Sequence, residues 1–253
     1  MIDVRYFEDL GAFRIDWLNA KHHFSFGSYH DPKRMGWGAL RVWNDDEIQP
    51  RTGFPPHPHA EMEIITYVRD GAITHQDSLG NKGRTVAGDV QVMSAGKGIR
   101  HAEYNQESEL TRIFQIWIMP DERGGEPYWD SRTFPKGDKA GELVVLASGR
   151  KGDEDALPIR ADARVLGGTL KSGQSASYAL EPGRHAYLAL AKGAAIVNGE
   201  TLGPRDGAAI VDDLSIEIKA MADAGIVLVD SVCRSRSPDL KRRRARLRAG
   251  GAL

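Results

Sequence analysis

MEIITYVRDGAITHQDSLGNKGRTVAGDVQVMSAGKGIRHAEYN (residues 62–105) alternates apolar runs with turn signals. Within it EIITYV is β-branched and aromatic, which suits a pleated, half-buried backbone. RDG and LGN mark tight turns, and GDVQVMSAG is a short strand entered and left by glycine. The spacing predicts successive short strands. HAYLALAKGAAIVNGETLGPRDGAAIVDDLSIEIKAMADAGIVLVD (residues 185–230) repeats the plan, with an apolar run, a KG turn, AAIVNGETL and then RDGAAIVDD. This weak internal repeat predicts two similar all-β domains rather than a solenoid. The segment from Pro120 to Glu142, rich in Gly, Pro and charge, reads as the linker. The expected organisation is a first domain over residues 1–138, a second over 139–230 and a tail over 231–253.

With 253 residues, 41% hydrophobic, the chain can bury a sizeable core. Its formal net charge of -1 hides an asymmetry. RSRSPDLKRRRARLR (residues 234–248) is strongly basic, which leaves the remainder acidic and a poor footprint for a specific nucleic-acid-binding fold. The tail itself reads as a solvated, disordered extension. A single Cys233 rules out an internal disulfide and a cysteine-based zinc site, so any metal must be held by His and carboxylate. No apolar run approaches the roughly 18 residues that a membrane helix needs. MIDVRYFEDL lacks the features of a secretory signal, so the cytoplasm is the expected compartment.

Two pairs of residues at alternate positions carry the chemistry. In a strand, residues i and i+2 point to one face, so His57 and His59 of HPH project together, as do His101 and Glu103 of HAE. A barrel brings distant strands face to face around its interior, and three imidazoles and a carboxylate then converge. That donor set suits a divalent transition metal such as Fe, Ni, Cu, Mn or Zn. The second domain has His185 in EPGRHAYLAL but neither a His-x-His nor a His-x-Glu pair, so it is expected to be degenerate and metal-free.

GFPPHPHAEMEIITYVRDG (residues 53–71), GDVQVMSAGKGIRHAEYN (88–105) and the upstream HHFSFGSYHDPKRMGWGALRVWNDDEIQP (22–50) resemble the pirin family of bicupins, including its bacterial quercetin 2,3-dioxygenase-like members. The resemblance is close over residues 1–120 and looser to about Asp230. It implies two cupin (jelly-roll) β-barrels and an iron site on His57, His59, His101 and Glu103. It also implies opening of the heterocyclic ring of a flavonol such as quercetin by O2 with release of CO, Glu103 serving as ligand and general base. Pirin-like proteins also include members thought to act through protein partners, with the metal structural or redox-sensing, and a cupin-type isomerase or hydrolase would share the fold. Glu63, where many cupins take a carboxylate ligand, is expected to support the site rather than ligate. His75 and Asp77 share a strand face, which would suit a place on the cavity lining, but the favoured reading is a polar hairpin end. Of His22 and His23 at most one faces inward. Phe24 and Phe26 share parity and are expected in the core, a wall for an aromatic substrate being the alternative.

Overall fold

The computed structural model describes residues 1–133 and 141–233. They form four sheets in two pairs. In the first pair, a seven-stranded sheet runs in the order Tyr128–Arg132, Val90–Ser94, Glu63–Asp70, Thr111–Ile118, Leu40–Ile48, Leu18–His22, Gly11–Ile15. Its four-stranded companion runs Gly53–His59, Ile99–Tyr104, Ala72–Asp77, Lys82–Val86. In the second pair the large sheet runs Ile2–Arg5, Gly207–Val211, Arg184–Lys192, Ala224–Val232, Ala163–Leu170, Leu143–Ser148, Leu157–Pro158. The small one runs Ser175–Ala179, Ser215–Ala220, Ala195–Val197, Glu200–Leu202. Each pair is a jelly-roll barrel, so the fold is all-β with two such domains, as the sequence predicts. Among the described residues the one helical element is a 3-10 turn at Phe7–Asp9, and no helix is long and apolar enough to cross a membrane.

Where one face of a strand meets water, the sequence alternates. Ser215–Ala220 (SIEIKA) buries Ile216, Ile218 and Ala220 and exposes the residues between them. The central strands of the large sheets do not alternate in this way, because both of their faces are covered. Trp43, Phe114 and Ile116 of the first large sheet and Leu146, Val165, Tyr187 and Val227 of the second belong to a single buried cluster, so the barrels share a core. Polar groups cross the same boundary in satisfied pairs. Asp45 is fully buried and receives Arg69 from its own sheet and, at 2.6 Å, Arg205 Nε from the second barrel. A buried carboxylate left without those cations would be strongly destabilising.

The interiors of the two barrels differ. Leu166, Leu188, Ile210, Ile216, Ile226 and Leu228 fill the second. In the first, Leu18, Ile48, Val68, Ile73 and Ile113 pack one end only, and a cavity remains above them. The chain also exchanges an element between its halves. Ile2–Arg5 pairs with Gly207–Val211 of the second barrel, Ile2 opposite Ile210 and Arg5 opposite Gly207, and so crosses the division drawn at residues 138 and 139. Of the tail expected over residues 231–253, Ser231 and Val232 complete the strand Ala224–Val232, and the residues from 234 onward, like residues 134–140 of the linker, lie outside the described residues.

Candidate metal centre

His57 and His59 sit on Gly53–His59, His101 and Glu103 on Ile99–Tyr104, and these two strands are neighbours. Gly53–His59 contains three prolines, which cannot donate to a ladder, and it is tolerated because it forms the edge of its sheet. His101 pairs with His57, but Glu103 pairs with Phe54, so the register shifts between them. Such a bulge bends the strand and re-aims its side chains. At Gly53 the strands approach so closely that an added Cβ would lie 2.2 Å from the Glu103 carbonyl oxygen.

The arrangement brings one ligand atom each of His57, His59 and His101 within 4.8 Å of one another. Two of these rings show which nitrogen is free. His57 Nδ1 donates to the Pro55 carbonyl at 2.7 Å, which leaves the Nε2 lone pair unused. His101 Nε2 is buried and has no hydrogen-bond partner among the described residues. Burial, reinforced by the neighbouring histidines, lowers the pKa of His59 to about 4 and of His101 to about 2. Both are therefore neutral at physiological pH, the form that binds metal. An orphaned buried nitrogen amid three clustered imidazoles fits a divalent metal ion.

Glu103 is fully buried beside this trio rather than within it. Its oxygens accept from Thr66 Oγ1 at 3.1 Å, Gln91 Nε2 at 2.6 Å and Gln115 Nε2 at 2.7 Å. Burial nevertheless raises its pKa to about 7 against those three bonds. A ligand atom of Glu103 groups with those of His101 and His75, so two clusters share His101. Glu63 is apart from both and accepts from Ser94 Oγ at 2.8 Å. No candidate cluster falls in the second barrel among the described residues.

A cavity of about 540 Å³ opens onto His57 and His59, walled mainly by apolar side chains that include Phe26, Phe54 and Trp117. Trp117 meets the His59 ring edge to face at 4.9 Å. His22 lines the cavity and bonds Asn44 at 2.8 Å, whereas His23 points away and bonds the Tyr187 hydroxyl at 2.7 Å. Phe24 and Phe26 part company, Phe24 entering the shared core and Phe26 the cavity wall, because regular strand pairing ends at His22 and parity no longer applies.

The hairpin-end reading of His75 and Asp77 describes half of what is found. Asp77 caps the turn, accepting from the backbone of Leu79 and Asn81, but His75 is fully buried beside His101. Gln91 and Gln115 were not singled out from the sequence. Their signal is a lone amide within an apolar run, VQV and IFQIW.

A family model described as "Pirin" matches residues 3–118, and one described as "Quercetinase C-terminal cupin domain" matches residues 145–231. A "Pirin-like protein" of Caulobacter vibrioides is 67% identical over 231 residues, covering 91% of this chain and 100% of the relative. A "Quercetin 2,3-dioxygenase" of Escherichia coli is 40% identical over 91% of this chain and 98% of its own length. The crystal structure of the bacterial pirin YhhW from Escherichia coli in complex with nickel(II) superposes with a TM-score of 0.87 at 38% identity, covering 92% of this chain and 100% of that one.

Proposed function

The chain belongs to the pirin family of two-domain cupins, and from that premise we propose that it is a metal-dependent dioxygenase that opens the heterocyclic ring of flavonols such as quercetin with O2, releasing CO. The observation that carries the proposal is the juxtaposition of three clustered histidines with an apolar, aromatic-walled cavity of about 540 Å³, in the range of small-molecule sites. His57, His59 and His101 would hold the ion, with Glu103, whose ligand atom groups with that of His101, as the fourth ligand. Iron is our choice for this chain, and the bacterial pirin solved in complex with nickel(II) supports a divalent metal at this site. When bound, the ion supplies Lewis-acid polarisation of a substrate hydroxyl and access to dioxygen chemistry.

The chain's own residues supply the rest. Phe26, Phe54 and Trp117 hold a flat aromatic substrate and exclude bulk water. Glu103, the buried carboxylate beside the histidines, takes the proton of the flavonol 3-hydroxyl. Gln91 and Gln115, which bond to it, keep its oxygens oriented.

The test is oxygen uptake and CO release from quercetin by protein loaded separately with Fe, Ni, Cu and Mn. Glu103→Gln, brought to full metal occupancy, is expected to bind quercetin yet turn over about 10²- to 10⁴-fold more slowly, and to leave the 3-hydroxyl protonated in the absorbance spectrum. Wild-type rates in that variant would remove Glu103 as the base, and no oxygen uptake with any metal would overturn the enzymatic reading.

A further inference from the structure

We infer that His75 is a positioning residue for the metal centre, and that a hydrogen-bonded series from Asp77 through His75 to His101 dictates which nitrogen of His101 faces the metal. This rests on the metal-site part of the reading above and is independent of the dioxygenase chemistry.

The series starts from a fixed carboxylate. Asp77 Oδ1 accepts from Leu79 N at 2.9 Å and Asn81 N at 3.1 Å, and Oδ2 accepts from Asn81 Nδ2 at 2.9 Å. Oδ2 also lies 3.0 Å from His75 Nε2. A carboxylate offers lone pairs alone, so His75 Nε2 carries the hydrogen and donates it. The neutral His75 ring then has its lone pair on Nδ1. That atom is 3.5 Å from His101 Nδ1. Two lone pairs facing each other across a buried gap would repel, so His101 Nδ1 carries a hydrogen directed at His75. The remaining lone pair of His101 is on Nε2, the buried nitrogen left without a partner. A ligating histidine whose other nitrogen donates to a fixed acceptor is held in one tautomer and one orientation.

His75 is itself clamped. The Trp129 ring lies parallel to it, 6° between planes and 4.8 Å between centroids. Trp129 comes from Tyr128–Arg132, the outermost strand of its sheet, and reaches His75 across Gly83. An added Cβ at Gly83 would stand 2.1 Å from the tryptophan ring, so glycine there is what admits the clamp. His75 has no exposed surface and does not line the large cavity, so it positions His101 rather than meeting a substrate.

The test uses the full chain loaded with zinc(II), a diamagnetic probe, with histidine ring nitrogens read by two-bond ¹H–¹⁵N correlation. The expected spectrum has His101 protonated at Nδ1 and bound through Nε2, and His75 protonated at Nε2 without metal. His75→Phe keeps a ring against Trp129 but removes the acceptor. It is expected to weaken zinc and nickel binding about 10- to 100-fold by chelator competition. Trp129→Phe, which preserves the stack and both nitrogens, is expected to bind metal within a few-fold of wild type. Zinc bound through His101 Nδ1, or zinc found on His75 with Glu103, overturns the inference even if His57 and His59 still ligate. So does His75→Phe with wild-type affinity. The wild-type spectrum decides the tautomer on its own should the phenylalanine variant fail to fold. Absence of flavonol turnover bears on the proposed function and not on this result.

Discussion

Asp46 stands on the cavity wall at 2% exposure, with Oδ1 lacking a hydrogen-bond partner among the described residues. Burial, then the charges of Asp45 and Glu103, raise its pKa well above the usual carboxylate range, with Arg69 opposing. The native protein thus keeps a proton that the unfolded chain releases at about pH 4. Above that pH the unfolded state binds fewer protons, so this residue makes stability fall as pH rises, until its folded pKa is passed. Asp46→Asn, uncharged and of like shape, is predicted to gain stability over wild type progressively as pH rises above about 4, read from urea midpoints. A difference that does not change with pH would contradict this. The residue's state is not legible in VWNDDEIQP, where an acidic pair reads as solvated and only tertiary packing buries it. The histidines were more legible, since strand parity alone pairs His57 with His59. His75 was not, because the same ITHQDSLGN both caps a turn through Asp77 and turns a ring inward.

At the scale of the element, the site depends on two strands whose register shifts between His101 and Glu103. Gly53 sets how closely they approach. A Cβ there would press on backbone at 2.2 Å and 2.6 Å, which no flexible side chain can relieve. Gly53→Ala is predicted to destabilise the protein by about 1–3 kcal/mol, as overpacking does, and to weaken metal binding by displacing His57 relative to His101. Thermal unfolding and chelator competition measure the two effects, and a variant with wild-type values in both would show that the approach is not tight. Strands were readable from β-branched runs and glycine turns, but the bulge was not, because FPPHPH holds prolines that local rules alone would assign to a loop. What admits them is the edge position, a property of the sheet. Phe24 and Phe26 differ for the converse reason, since the strand ends at His22 and alternation cannot assign faces beyond it.

Across the whole molecule the shared core makes the two barrels one cooperative unit. Tyr187 spans the boundary, packing on Phe24 and Trp43 and bonding His23 through its hydroxyl. His23 Nε2 has no partner among the described residues, so Tyr187→Phe would leave a fully buried ring with neither nitrogen satisfied. The predicted loss is about 1–3 kcal/mol, appearing as one shifted transition in denaturation followed by probes in both barrels. Separate transitions would show that the barrels unfold independently. The repeat made two barrels legible, but HAYLALAKG is apolar on both faces and gives no sign that one face belongs to a neighbour. The crossing of Ile2–Arg5 to the second barrel was hidden too, for a four-residue strand carries no address. It bears on how the protein is made. Ile2–Arg5 pairs with residues 207–210, so this contact must wait until the chain through those residues has been made. Until then the nascent first barrel exposes its large apolar face, and closure of so long a loop comes late. Refolding from denaturant is accordingly expected to be slow and concentration-sensitive, with aggregation competing at the step where the first strand finds its place.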